Sequence, residues 1–172
     1  MNHASRRRAA LPIVMFACAW AACASAGAAG CSVSTPGMAF GPYAPLSFPG
    51  RFSSADVASD ATVTVACTGI VTGGAYTITL GPSLSGSGDR ISTRYLSNPA
   101  GGPDMAFTVY LDPSHVTVWG DGVTAGATIG GSIAPGDSNQ SHAVYGRIPA
   151  GQNTLVAGAF SGALTMTISY TP

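Results

Sequence analysis

Lysine and glutamate are both absent from this 172-residue sequence. Its charge comes from seven arginines (Arg6, Arg7, Arg8, Arg51, Arg90, Arg94, Arg147) and seven aspartates, together only 8% of the chain. A chain so short of basic side chains lacks the electrostatic footprint that nucleic acid or an anionic lipid surface requires. The apolar run at residues 9–22 falls short of the roughly 20 residues needed to cross a bilayer. No stretch keeps a helical apolar period beyond two turns, which argues against a helical architecture. Phosphate loops, dinucleotide fingerprints and zinc spacings are missing too, so nothing implies a cofactor.

What is present begins with an export signal. Arg6, Arg7 and Arg8 form a basic n-region, residues 9–22 a short apolar core, and Ala24-Ser25-Ala26 a small-x-small cleavage pattern. A secretory signal peptide is therefore expected over residues 1–26, with the domain proper at 27–172. The three residues before Cys23 and Cys31 do not begin with the Leu-like residue of a lipoprotein signal, and the usual apolar follow-up to a twin-arginine signal is missing. Without residues 1–26, four arginines face seven aspartates, a net charge of −3. The chain's overall neutrality belongs to the signal.

Cysteine usage agrees with export. Of the four cysteines, Cys18 and Cys23 fall within the signal, leaving Cys31 and Cys67. Two cysteines in an exported chain read as one disulfide; free thiols or a metal pair are the alternatives. A 36-residue loop closed in this way is worth roughly 4 kcal/mol on the chain-entropy model.

Short strand signals recur along the rest of the chain, divided by Gly, Pro, Ser and Asp clusters. Strands are expected at 38–43, 61–67, 75–80, 90–96, 105–111, 115–119, 142–148 and 164–170. Val63, Val65 and Cys67 share one face of the second, and Tyr76, Ile78 and Leu80 one face of the third. The stretch between Gly122 and Gly136 is Gly-rich and weakly patterned. The last strand is the clearest: Leu164, Met166, Ile168 and Tyr170 alternate with Thr165, Thr167 and Ser169. Two residues later comes Pro172, and the expectation is that no later segment pairs with that strand's far side. Many short strands without helices imply an all-β sandwich or barrel.

Particular pieces carry a more specific likeness. Cys31 is followed by Phe40-Gly41-Pro42-Tyr43, one strand ends in Val65-Ala66-Cys67-Thr68-Gly69, and Trp119-Gly120-Asp121-Gly122 follows another. Residues 144–152 read VYGRIPAGQ and residues 157–160 AGAF, ahead of the closing LTMTISY. In these the chain resembles the spore coat protein U domain, which is shared with the pilins of archaic chaperone–usher pili. Phe160 stands where that family tends to have Tyr, and Gly162 where Asp is common.

The resemblance implies an immunoglobulin-like sandwich lacking its final strand. A periplasmic chaperone supplies the missing strand first, and a neighbouring pilin's N-terminal extension replaces it after passage through an outer-membrane usher. Strand addition of this kind takes affinity from backbone hydrogen bonds and specificity from alternate side chains. Leu164, Met166, Ile168 and Tyr170 are then expected to border the acceptor groove. After cleavage only Gly27-Ala28-Ala29-Gly30 precede Cys31, with no bulky side chain to donate. The expectation is a secreted pilin-like subunit, minor or distal in its fibre, passing through the periplasm to the cell surface. A glycan- or surface-binding adhesin module, and a coat or matrix protein outside any pilus, are the alternatives.

Catalytic readings fare poorly. Gly136-Asp137-Ser138 resembles a hydrolase block, but it falls late, in what reads as a loop, with His142 only four residues on. Asp112, His115 and Asp121 are close enough to be drawn as metal ligands, yet Asp112-Pro113 and Gly120-Asp121-Gly122 are ordinary turn pairs. Trp119 suits packing better than a sugar platform. Arg90, Arg94 and Arg147 are expected to pair with aspartates at the surface, contributing little. No enzyme activity is expected.

Overall fold

The computed structural model describes residues 29–48 and 53–172. The signal-peptide expectation falls on residues 1–26, outside the described residues. The eight strands are β1 (Gly30–Ser34), β2 (Val57–Ile70), β3 (Gly74–Leu80), β4 (Arg94–Leu96), β5 (Met105–Tyr110), β6 (Ile129–Ile133), β7 (Gly136–Ile148) and β8 (Met166–Thr171). They form two antiparallel sheets, β1-β2-β7-β5-β4 and β6-β3-β8. The protein is an all-β sandwich, and no described residue lies in a helix.

Alternation builds the core. Val63, Val65 and Cys67 of β2 point inward, as do Met105, Phe107 and Val109 of β5 and Val144 and Ile148 of β7. From the smaller sheet come Tyr76, Ile78 and Leu80 of β3 with Ile129 and Ile133 of β6. Each fully buried Val, Ile or Leu stabilises by about 1.5–3 kcal/mol. The spine is the long β2–β7 pair, running from Val57↔Ile148 to Cys67↔Ser138, with an irregularity before Ile70↔Gly136.

Two strands appear where none was expected. β1 pairs in register with β2, placing Cys31 opposite Cys67, and the two are joined in a disulfide. β6 occupies the Gly-rich stretch. Its Gly131 lies over Tyr76, where a Cβ would come within 2.5 Å of the phenol oxygen. Bulk on one strand is matched by its absence on the next.

Elsewhere expected strands are absent or shorter. Residues 38–43 are not a strand: Met38 and Phe40 cross over Gly146, where a Cβ would sit 2.0 Å from Met38 Sδ. Residues 90–93 are irregular, with Arg90 at φ 54°, and only β4 remains of that expected strand. Residues 115–119 fold back on β5 through the single bridge Tyr110↔Val118. The closing strand begins at Met166, and β7 extends back to Gly136.

Candidate functional site

β8 is an edge strand, bonded to β3 in the register Leu80↔Met166, Ile78↔Ile168, Tyr76↔Tyr170. Its alternation is as expected: Thr167, Ser169 and Thr171 are exposed, while Met166, Ile168 and Tyr170 turn inward. Those inward side chains are only half-buried, although their β3 partners Leu80, Ile78 and Tyr76 are at most 3% exposed. Among the described residues, β3 has a neighbour on each side and β8 has one on its β3 side only. β1 is the corresponding edge of the larger sheet and approaches β8 across the seam.

Beside Met166 the seam opens into an apolar groove of about 540 Å³. One wall is the irregular segment carrying Met38 and Phe40, and the other carries Phe160, Leu164 and Met166. Its floor is the core itself, including Leu80, Phe107 and Trp119. Phe40 meets Phe107 edge-on, with ring centroids 5.8 Å apart. A second hollow of about 690 Å³ continues under residues 155–160, sharing Gly41, Leu96 and Phe160 with the first.

Of the four side chains expected to border a groove, Leu164 and Met166 line this one. Ile168 and Tyr170 pack against the core further along β8, and the Tyr170 hydroxyl donates to Gly73 O at 2.7 Å. The first wall was not foreseen as part of a site. Its signal was present, since Phe40 belongs to the FGPY piece, as Phe160 of the facing wall belongs to AGAF.

The remaining candidates resolve into structural roles. Gly136-Asp137-Ser138 opens β7 instead of lying in a loop. The Asp137 carboxylate accepts the Gly69 N–H at 2.9 Å, and Ser138 Oγ has no hydrogen-bond partner among the described residues. Four residue steps along β7 place Ser138 and His142 about 13 Å apart, which rules out a dyad. His142 Nε2 lies 2.6 Å from the Tyr76 hydroxyl, which donates to Gln140 Oε1. Burial pushes the Tyr76 phenol above its ordinary range, so it stays protonated.

Asp112 and Asp121 each cap their own loop. Asp112 accepts the Thr117 and Val116 amides, and Asp121 accepts those of Val123, Thr124 and Ala125. These bonds, led by Thr117 for Asp112 and by Val123 for Asp121, hold both carboxyls below the usual carboxylate range. His115 instead meets the Tyr110 ring edge-on. Trp119 is buried, with its indole N–H donating to Ile78 O at 3.2 Å.

Arg147 pairs with Asp56 at the surface, as expected. Arg90 Nη1 donates to Leu84 O. Arg94 departs altogether from a surface role, being 0% exposed. Its guanidinium donates to four backbone carbonyls: Gly81 (3.2 Å), Ile91 (2.8 Å), Leu80 (3.1 Å) and Trp119 (2.8 Å). Burial lowers it to about 10, opposed by Asp89 and Asp121, so it remains a cation at neutral pH.

An all-β sandwich with a cross-strand disulfide at one edge and an apolar groove at the seam is thus in place. The sequence profile of the Spore Coat Protein U domain matches residues 18–167. The chain belongs to that family. Spore Coat Protein U domains are structural subunits of pilus or coat type, associated with chaperone–usher pili at the cell surface, and the family is not an enzymatic one. No curated protein matches the chain. No helix among the described residues is long and apolar enough to cross a membrane.

Proposed function

We propose that this Spore Coat Protein U domain is a strand acceptor: an exported pilin-like subunit completed by a β-strand from another chain. The observation that carries the reading is the half-buried inward face of β8 beside an apolar groove. An extended strand laid there would pair with the free edge of β8 and bury alternate side chains against Met166, Leu164 and the floor. A periplasmic chaperone would supply that strand in transit and a neighbouring subunit in the fibre, after passage through an outer-membrane usher.

The test compares two faces of one strand. Met166→Asp places a charge where water must leave, at a cost of several kcal/mol. Thr167→Lys alters the exposed face. In pull-downs from matched expression, Met166→Asp is expected to lose capture of chaperone and of strand peptide while Thr167→Lys keeps both; Ile168→Asp is expected to weaken capture through the same face. Equal binding by all three would overturn the reading.

The finer position follows from export near Ala26. Gly27-Ala28-Ala29-Gly30 then precede Cys31, and such a segment cannot fill a neighbour's groove. The subunit would accept without donating, which suits a distal or minor place. Labelled subunit at fibre ends is the expected image, and label spread along the shaft would exclude it.

A further inference from the structure

The molecule's most improbable side chain is a buried cation with no ion-pair partner among the described residues. Arg94 has no exposed surface, and the ion pair formed among the described residues is Arg147 with Asp56. Burying a charge is expensive unless hydrogen bonds replace the lost water. Here the replacement is complete in kind: four carbonyls from three separate stretches converge on one planar fork. Leu80 ends β3 with Gly81 next after it, Ile91 lies in the following loop, and Trp119 belongs to the return from β5.

Two of those four residues, Leu80 and Trp119, are also floor of the groove. Around Leu80 the ladder changes partners. Its N–H bonds Gly120 O at 3.0 Å, and the next amide, Gly81, bonds Thr165 O at 2.9 Å on the groove's second wall. The Trp119 indole is fixed from the front by Ile78 O, and its own carbonyl is held from behind by Arg94. Arg94 is not itself part of the groove lining. It stands behind the floor, joining the β4 edge of the larger sheet to the end of β3.

We infer that Arg94 is a positioning residue for strand acceptance: its guanidinium sets the backbone of Leu80 and Trp119, and through them the floor on which an incoming strand seats. This rests on the strand-acceptor reading above. Lysine cannot substitute, since an ammonium offers three donors from one point where the site presents four acceptors around a plane.

The experiment uses the exported chain without residues 1–26, in which Trp119 is the sole indole. The probe is a synthetic extended peptide of about ten residues alternating Val or Ile with Thr. Arg94→Lys is expected to raise the peptide Kd at least tenfold, shift Trp119 emission to the red and increase its quenching by acrylamide. Val65→Ala, a core truncation outside the groove lining, serves as the control for plain destabilisation. It is expected to lower the thermal midpoint while leaving affinity and emission unchanged.

Unchanged affinity and emission in Arg94→Lys would overturn the inference. So would an equal loss of affinity in Val65→Ala, or failure of both Arg94→Lys and Arg94→Gln to fold, which would make Arg94 a support of the whole fold. If the unsubstituted chain binds no peptide, the strand-acceptor reading fails on its own. A red shift confined to Arg94→Lys would then still uphold the placement of the floor by Arg94, and its absence would not.

Discussion

Aspartate is the only acidic residue type here, and five of the seven accept hydrogen bonds from the rest of the chain, Asp137 from the Gly69 N–H. Asp56 takes the Ala150 N–H and then Arg147, Asp89 the Ile91 N–H and the Ser92 hydroxyl, while Asp112 and Asp121 cap their loops. These four are held below the ordinary 3.8. A carboxyl depressed on folding contributes stability above its unfolded value and loses it as pH falls through the folded one. The thermal midpoint is therefore expected to be insensitive to these groups above about pH 5 and to fall progressively below pH 4. Melts of Asp121→Asn, scanned from pH 6 to pH 2, should show a shallower acid slope. An identical slope would mean that this cap contributes nothing to acid sensitivity. The surface pair of Asp56 with Arg147 is expected to add little.

At the scale of elements, legibility followed side-chain chemistry. β3 was readable because Tyr76, Ile78 and Leu80 alternate with threonines, and β8 for the same reason. β6 was not, because its Gly130 and Gly131 are the complement of Tyr76, and glycine alone reads as a loop. β1 is five residues of small side chains whose place is set by Cys31 opposite Cys67, a pairing visible only once β2 exists. Half of the groove could be read from β8. The other wall, at Met38 and Phe40, has no ladder to generate a period, and its course depends on the missing side chain of Gly146. Arg94 was least legible of all. A lone arginine between Thr and Tyr reads as surface, and only the convergence of the nearby Ile91 carbonyl with those of Leu80 and Trp119, remote in sequence, makes it interior.

For the whole molecule, an open seam is a liability as well as a site. Among the described residues β1 and β8 each present an unpaired edge, and Leu46 and Val156 stand about half exposed at the second hollow. Edges and apolar patches of this kind invite pairing between copies. Protein refolded alone is expected to sediment as oligomers, and the alternating Val/Thr peptide in excess should return it to monomer. A monomer that melts cooperatively at high temperature with no added strand would count against an incomplete sandwich.

The two sheets also differ in how they would carry tension. The larger is stapled by the Cys31–Cys67 bond and by the long β2–β7 ladder; the smaller has no covalent tie, and β8 meets β3 over six residue pairs. A pull transmitted through a strand seated against β8 would load that short ladder in shear and leave the disulfide outside the force path. The mechanical fuse of such a joint would be β8, while the sheet that holds the fold's only covalent crosslink among the described residues stayed unstrained.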